Sequence, residues 1–246
     1  MKYSVLTYIF GNGDILREVP KDENVEYICV TDNPRLNAGN WTIIVDEDLK
    51  EMHPLQASFY VRHHPFKYCS TGICMRIDGS IKINQSLTPV FEEFDASGKD
   101  MCVMVNSRAK NLVFEFLHWF GYSKVITRQI EMFKQNGINI LSDGSLQSPI
   151  SIVRNNKLCN DCDALCWRWI EILAEDFGVV RPSQTILTAA VKMTPGLDIM
   201  FVSEDLIQSK YMQWFQHNSD DKLRYYKTQC KHTKFFGQPI EIYTFK

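Results

Sequence analysis

The chain has 246 residues, of which 45% are hydrophobic and 12% aromatic, and its formal net charge is −2. That apolar content supports a real core and excludes disorder as the main state. The near-neutral balance lacks the basic surplus that non-specific nucleic-acid binding requires, so no nucleic-acid partner is expected.

Lys2–Phe10 is β-branched and aromatic and predicts a buried strand, broken sharply by Gly11-Asn12-Gly13-Asp14. Glu26–Thr31 predicts a second strand ending at Asp32-Asn33-Pro34, and Trp41–Val45 a third. His53–Tyr68 has helical spacing until Pro65 interferes. Gly72–Ile77 predicts another strand, closed by Asp78-Gly79, followed by a helix over Leu87–Phe94 and a strand over Asp100–Val105. Leu112–Gly137 is amphipathic and predicts helix in two pieces broken near Gly121. A short strand is expected at Ile150–Val153, a strong helix over Asp163–Phe177 capped by Asp161 or Asp163, and a helix over Pro182–Val191.

Strands alternate with helices and no linker or repeat interrupts them. This favours a single α/β domain over 1–246 with a mostly parallel or mixed sheet. No run approaches the ~20 apolar residues that span a bilayer. Met1–Phe10 lacks the charged and apolar regions of a signal peptide. A soluble, cytoplasmic or otherwise intracellular chain is expected. Eight cysteines are present; in a long, core-rich chain they are expected as free thiols. Cys159, Cys162 and Cys166 have a spacing that invites a metal reading, but no second pair follows, and three thiols on one helical face suit core packing.

Ligands of such sheets bind beyond the carboxyl ends of strands, which directs attention to three turns. At Gly11–Asp14 two glycines let the backbone approach a ligand, with an ordinary turn as the alternative. Asp32 can accept from a base or ribose hydroxyl, or can close an Asx-turn before Pro34. Asp78-Gly79-Ser80 offers a carboxylate suited to a hard divalent ion bridging a diphosphate, or a type I′ hairpin turn. Just upstream, Arg62, His63, His64 and Lys67 form a basic cluster that can neutralise phosphates or sit as a solvated helix end.

In combination these segments resemble a glycosyltransferase-like family of plant mucilage and turgor-regulation proteins with bacterial and viral relatives. The matching residues are Leu6–Asp14, Tyr27–Asn33 followed by Trp41, and Arg76–Ile81. Looser matches are Arg62-His63-His64-Pro65, and Trp167 and Trp169 ahead of Arg181-Pro182-Ser183-Gln184. The resemblance implies an α/β, GT-A-like (Rossmann-like) fold with a mixed, mostly parallel central sheet flanked by helices. Its nucleotide-binding half would be about 1–105, and its acceptor and donor-sugar half about 106–246.

The activity implied is metal-assisted transfer of a hexose or deoxyhexose from a nucleoside-diphosphate sugar, a UDP-sugar foremost, to a glycan or glycoprotein hydroxyl. Thr7, Phe10, Gly11, Asp14 and Asp32 would hold the nucleoside, and Arg62 the diphosphate. Ile77, Asp78, Gly79 and Ser80 would line the diphosphate site. Asp78 would ligate Mn²⁺ or Mg²⁺, with His217 or His232 as later ligands. Arg181 and Gln184 would orient the sugar. Asp161 and Asp163 are the candidate catalytic bases, with helix capping as their alternative role. Two positions depart from the family pattern: Ser80 stands where a second carboxylate is usual, and Pro182-Ser183 interrupts an Arg-Asp-Gln triplet. These departures keep open a non-catalytic nucleotide-sugar or carbohydrate-binding module on the same fold.

Overall fold

A computed structural model describes residues 1–11, 14–36, 39–106, 111–118, 123–141, 144–178, 183–202, 206, 209–215, 234–235 and 238–239. Its centre is a seven-stranded sheet built from β1 (Tyr3–Ile9), β2 (Val25–Thr31), β3 (Thr42–Val45), β4 (Ile73–Ile77), β6 (Met101–Val105), β7 (Leu146–Arg154) and β8 (Ile199–Val202). The strand order is β3-β2-β1-β4-β7-β6-β8. β7 pairs antiparallel with both β4 and β6, and every other pairing in this sheet is parallel. The chain therefore has the mixed, mostly parallel α/β architecture expected of it.

The helices are α1 (Pro54–His63), α2 (Thr88–Ser97), α3 (Leu112–His118), α4 (Ser123–Gln135), α5 (Lys157–Phe177) and α6 (Gln184–Lys192). Burial on both sheet faces explains why β1 and β2 read as continuous apolar runs. Along β1 the period of two sends Leu6 and Tyr8 into one core and Val5 and Ile9 into the other. The first core lies under α1, α4, α5 and α6, through residues such as Val61, Phe133, Trp169 and Ala190. The second is covered by Phe91 and Phe94 of α2 and by β5 (Ile81–Ile83), which pairs antiparallel with β9 (Met212–Trp214). Each large apolar side chain buried this way contributes roughly 1.5–3 kcal/mol. A further short pair joins β10 (Lys234–Phe235) to β11 (Gln238–Pro239). No helix of the described residues is long and apolar enough to cross a membrane.

Several expected boundaries move, each for a local reason. The helix expected over His53–Tyr68 ends at His63, and Pro65–Lys67 forms a separate 3-10 turn. β7 extends to nine residues, and it carries Pro149, which has no N–H to give, where the β6–β7 register shifts at Val103/Met104. Its carbonyl instead accepts from the Asp78 amide at 2.9 Å. Helix α5 begins six residues early. Asn156, in extended conformation, caps it by accepting from the Cys159 amide at 2.9 Å, so neither Asp161 nor Asp163 is the cap. The expected break near Gly121, and Pro182 at the start of α6, fall outside the described residues.

The hairpin alternative at Asp78-Gly79 does not hold. A turn does form, closed by the Ile81 amide on the Asp78 carbonyl at 2.9 Å, but β4 and β5 do not pair with each other. Gly79 also lacks the positive φ that a type I′ turn demands.

Cys159, Cys162 and Cys166 lie in the core, as their one-face spacing predicts. Burial pushes the Cys159, Cys29 and Cys102 thiols up to about 12, which leaves them un-ionised and unreactive at neutral pH. Seven of the eight cysteines are described, all as free thiols, and six of those seven are buried. In a Cys230→Ser background, a disulfide thiol reagent is expected to modify Cys69 alone in the native protein. Denaturant should release the other six thiols. Rapid native reaction at Cys159, Cys162 or Cys166 would contradict this packing.

Candidate functional site

Because β2, β1 and β4 are parallel neighbours, their carboxyl ends bring the three chemically suggestive turns onto one rim. Gly11, after β1, has φ 61°, and a Cβ there would come within 2.8 Å of Pro54 Cγ, so glycine is required on both counts. Its amide donates to the Asp32 carboxylate after β2, at 3.0 Å to Oδ2 and 3.3 Å to Oδ1. Gly79, after β4, serves close approach: a Cβ would lie 2.9 Å from Ile9 Cγ1 and 3.1 Å from Asp14 Cβ. Asp14 and Asp78-Gly79-Ser80 are thereby packed side by side. Thr7 braces the rim from within, its hydroxyl donating to the Ile77 carbonyl at 3.1 Å, and Phe10 is buried in the core.

Beneath Asp78 lies a polar cluster that joins residues far apart in sequence. Tyr8, Arg76 and Asp78 project to the α1–α5 side of the sheet, as strand alternation requires. Arg62 of α1 donates from Nε to the Tyr8 hydroxyl (2.5 Å), from Nη1 to Ser148 Oγ (2.7 Å) and from Nη2 to Asp78 Oδ1. Tyr8 in turn donates to Asp78 Oδ1 at 3.1 Å. Burial pushes the Tyr8 phenol well above its ordinary value, so it remains a donor. Burial opposes the Arg62 cation, but the Tyr8 oxygen and the Asp78 carboxylate outweigh it and hold its pKa above normal. The Arg62 side chain is 6% exposed and that of Asp78 is 24%.

One layer deeper, Arg76 of β4 donates to Asp163 Oδ1 of α5 (2.6 Å), to Ser151 Oγ of β7 (2.9 Å) and to the Arg62 carbonyl (3.1 Å). His63 Nδ1 lies 2.9 Å from the same Asp163 oxygen. A carboxylate only accepts, so Nδ1 carries the proton. Burial would raise the Asp163 carboxyl, but Arg76 and then His63 hold it below the ordinary range. Asp163 Oδ2 is buried without a partner.

This arrangement revises several expectations. The basic stretch at the end of α1 does not form a phosphate-facing patch. Arg62 and His63 are buried and committed, His64 Nδ1 lies 2.8 Å from the Tyr60 carbonyl, and Lys67 pairs with Asp46 at 2.9 Å. Asp163 is an interior counter-ion, and Asp161 is exposed and paired with Lys157, so neither candidate base reaches the rim. Gln184 starts α6 with its amide 2.9 and 3.2 Å from the Glu115 carboxylate oxygens. Glu115 also accepts from Asn106 Nδ2 at 3.0 Å. Arg181, His217 and His232 lie outside the described residues. Tyr8, Ser148, Asn106 and Glu115 were not singled out from the sequence. Only Tyr8 left a signal there, as a polar-tipped residue on the same strand face as two core positions.

The donor set for Mn²⁺ or Mg²⁺ is not assembled by the described residues. Among the described residues no group of three His, Cys, Asp or Glu side chains is placed to hold an ion. Asp78 is already neutralised by Arg62, and Asp32 already accepts from Gly11. Ser80 Oγ is a buried orphan, but a hydroxyl adds no charge.

The chain matches no protein-family model and no curated protein. Its likeness to the mucilage and turgor-regulation family therefore rests on the quoted motifs. Among solved structures it is similar to mouse xyloside xylosyltransferase 1 in its apo form, at 10% identity over 82% of this chain and 85% of that one, TM-score 0.45. It is likewise similar to galactosyltransferase LgtC in complex with donor and acceptor sugar analogs, at 13% identity over 85% and 79%, TM-score 0.45. A Bacillus anthracis protein described as a glucose-1-phosphate thymidylyltransferase aligns at 10% identity over 95% and 97%, TM-score 0.43. At such identities and TM-scores these likenesses assign no residue and no activity to this chain.

Burial holds His63 at about 4, against the pull of Asp163 and with Arg76 and Arg62 adding to the depression. The unfolded chain therefore takes up the histidine proton first, near its ordinary value of about 6.5. Stability is expected to fall as pH drops from about 6.5 toward 4, by on the order of 3 kcal/mol. Urea denaturation midpoints across that window measure it. His63→Asn, which keeps a donor and loses the titration, should flatten the slope; an unchanged slope would assign the loss to other groups.

Proposed function

We propose that this chain is a glycosyltransferase that moves a sugar from a nucleoside diphosphate, a UDP-sugar foremost, to a hydroxyl of a glycan or glycoprotein. One observation carries the reading. Three turns separated by up to about 70 residues in sequence meet at the carboxyl ends of β2, β1 and β4, with Asp32 on the Gly11 amide and Gly79 against Asp14. That is where open α/β sheets bind their ligands. The strand order with one antiparallel strand, β7, supports a GT-A-like assignment.

In this reading Gly11 and Asp32 receive the nucleoside, the glycine by allowing close approach and the aspartate by accepting from hydroxyls. Asp14 and the turn Asp78-Gly79-Ser80 border the diphosphate and the sugar. Arg62 and Tyr8 act as positioning residues that aim the Asp78 carboxylate; Arg62 does not contact the donor. Gln184, held by Glu115, shapes the second half of the site, with Arg181 assigned to the sugar by motif. The described residues do not fit the implied divalent ion.

A second reading, a nucleotide-sugar-binding module without turnover, is favoured by one specific feature: Asp161 and Asp163 both point away from base chemistry. Titration with UDP-, GDP- and dTDP-sugars, with and without Mn²⁺, is expected to show saturable binding and slow hydrolysis of one donor. Binding with neither hydrolysis nor transfer selects the module. Folded protein that binds none of the panel refutes both. Asp32→Ala should weaken nucleotide binding by about tenfold, since it removes a charged acceptor and releases the Gly11 turn. Its circular dichroism should be unchanged.

A further inference from the structure

Arg62 has a consequence for how the proposed donor site balances charge, and the inference rests on that donor-site reading. We propose that the site takes its nucleoside diphosphate without a divalent cation. The buried Arg62 guanidinium supplies the positive charge at the Asp78 carboxylate, and Asp78 acts as an acceptor for a donor hydroxyl.

Arg62 cannot be swung aside to make room for an ion. It is anchored at three points, by Tyr8, Ser148 and Asp78, on a side chain that is almost wholly buried. Its backbone carbonyl is held in turn by Arg76. Turning it away would leave a buried cation unpaired, a cost that proteins avoid by keeping such groups bonded. The guanidinium occupies Asp78 Oδ1 with a charge-assisted bond, so the exposed part of the carboxylate is already compensated.

The buried cluster beneath Asp78 offers an ion no surplus negative charge. Arg62 is matched by Asp78 and Arg76 by Asp163, so the cluster of two guanidiniums and two carboxylates sums to zero. His63, buried against Asp163, is neutral. The position two residues beyond Asp78 is Ser80, uncharged and 1% exposed, its carbonyl tied to the Phe215 amide at 3.0 Å. A hard dication draws most of its binding from anionic oxygens, and at Asp78 it would meet one that Arg62 already compensates. What Asp78 retains is acceptor capacity, which matches the hydroxyls of a nucleoside-diphosphate sugar.

The test uses the full chain stripped with EDTA. Calorimetric titration with UDP, GDP and dTDP identifies the nucleotide, and the titration is repeated with excess Mn²⁺. Mn²⁺ alone is titrated by its free-ion paramagnetic resonance signal. The expected result is a nucleotide affinity within about threefold in the two conditions, with no Mn²⁺ taken up by the free protein. Asp78→Asn, which keeps the side-chain shape, should weaken nucleotide binding equally with and without Mn²⁺. Binding seen only with Mn²⁺, or a Mn²⁺ enhancement of tenfold or more that Asp78→Asn removes, would overturn the inference and leave the donor-site reading standing. If folded protein binds no nucleotide in either condition, the donor-site reading fails and this inference with it. Should Asp78→Asn fail to fold, the wild-type comparison with and without Mn²⁺ still decides the question.

Discussion

The contact on which the rest of the site depends is the ion pair between Arg76 of β4 and Asp163 of α5, both nearly inaccessible to water. Separating such a pair strands a charge in the interior, at a cost of about 3–5 kcal/mol when one partner is removed. Arg76 does not stop at its counter-ion. It also holds Ser151 of β7 and the carbonyl of Arg62, while His63, the next residue, reaches the same carboxylate. One guanidinium thus ties the sheet centre to the end of α1 and the second turn of α5. The position of α1 decides where Arg62 lies, and Arg62 decides where the Asp78 carboxylate points.

The two buried arginines form a sequence of charge compensation running from the interior to the rim. Arg76 is cancelled completely by Asp163, and Arg62 by Asp78, which is the only one of the four with appreciable exposure. The charge of Asp78 at the rim is therefore balanced from the interior. This arrangement makes Asp78 a fixed, compensated acceptor rather than a free anion, a distinction with direct consequences for what the rim can bind. The glycines act by a different mechanism. Gly11 and Gly79 are required because Pro54, Ile9 and Asp14 come too close for a Cβ, which draws the turns together.

Much of the architecture was legible in the chain, and for a local reason. Strand β1 appears as an unbroken apolar run because both its faces are covered, and α5 announces itself through the helical spacing of Cys159, Cys162, Cys166 and Leu173. Periodicity records burial, and burial is what defines these elements. The α5 start was misplaced because two aspartates in the first turns resemble caps. Asn156 forms the cap instead, and Asp163 faces inward, toward a partner 87 residues away on β4.

The sequence by itself determined the class of fold, the three turns worth attention and the glycines within them, since strand ends and turn residues are local features. It also determined that one carboxylate, not two, stands at Asp78-Gly79-Ser80. Only the tertiary structure decided the partners of the charged residues. Arg62, His63, Arg76, Asp78 and Asp163 carry no mark in the chain of whom they pair with. Pairing depends on which face of β4 meets α1 and α5, and that is set by the packing of the whole sheet. A basic cluster beside an acidic turn read as a phosphate and metal site. Folded, Arg62 and Asp78 cancel one another, because low-dielectric interiors do not tolerate uncompensated charge.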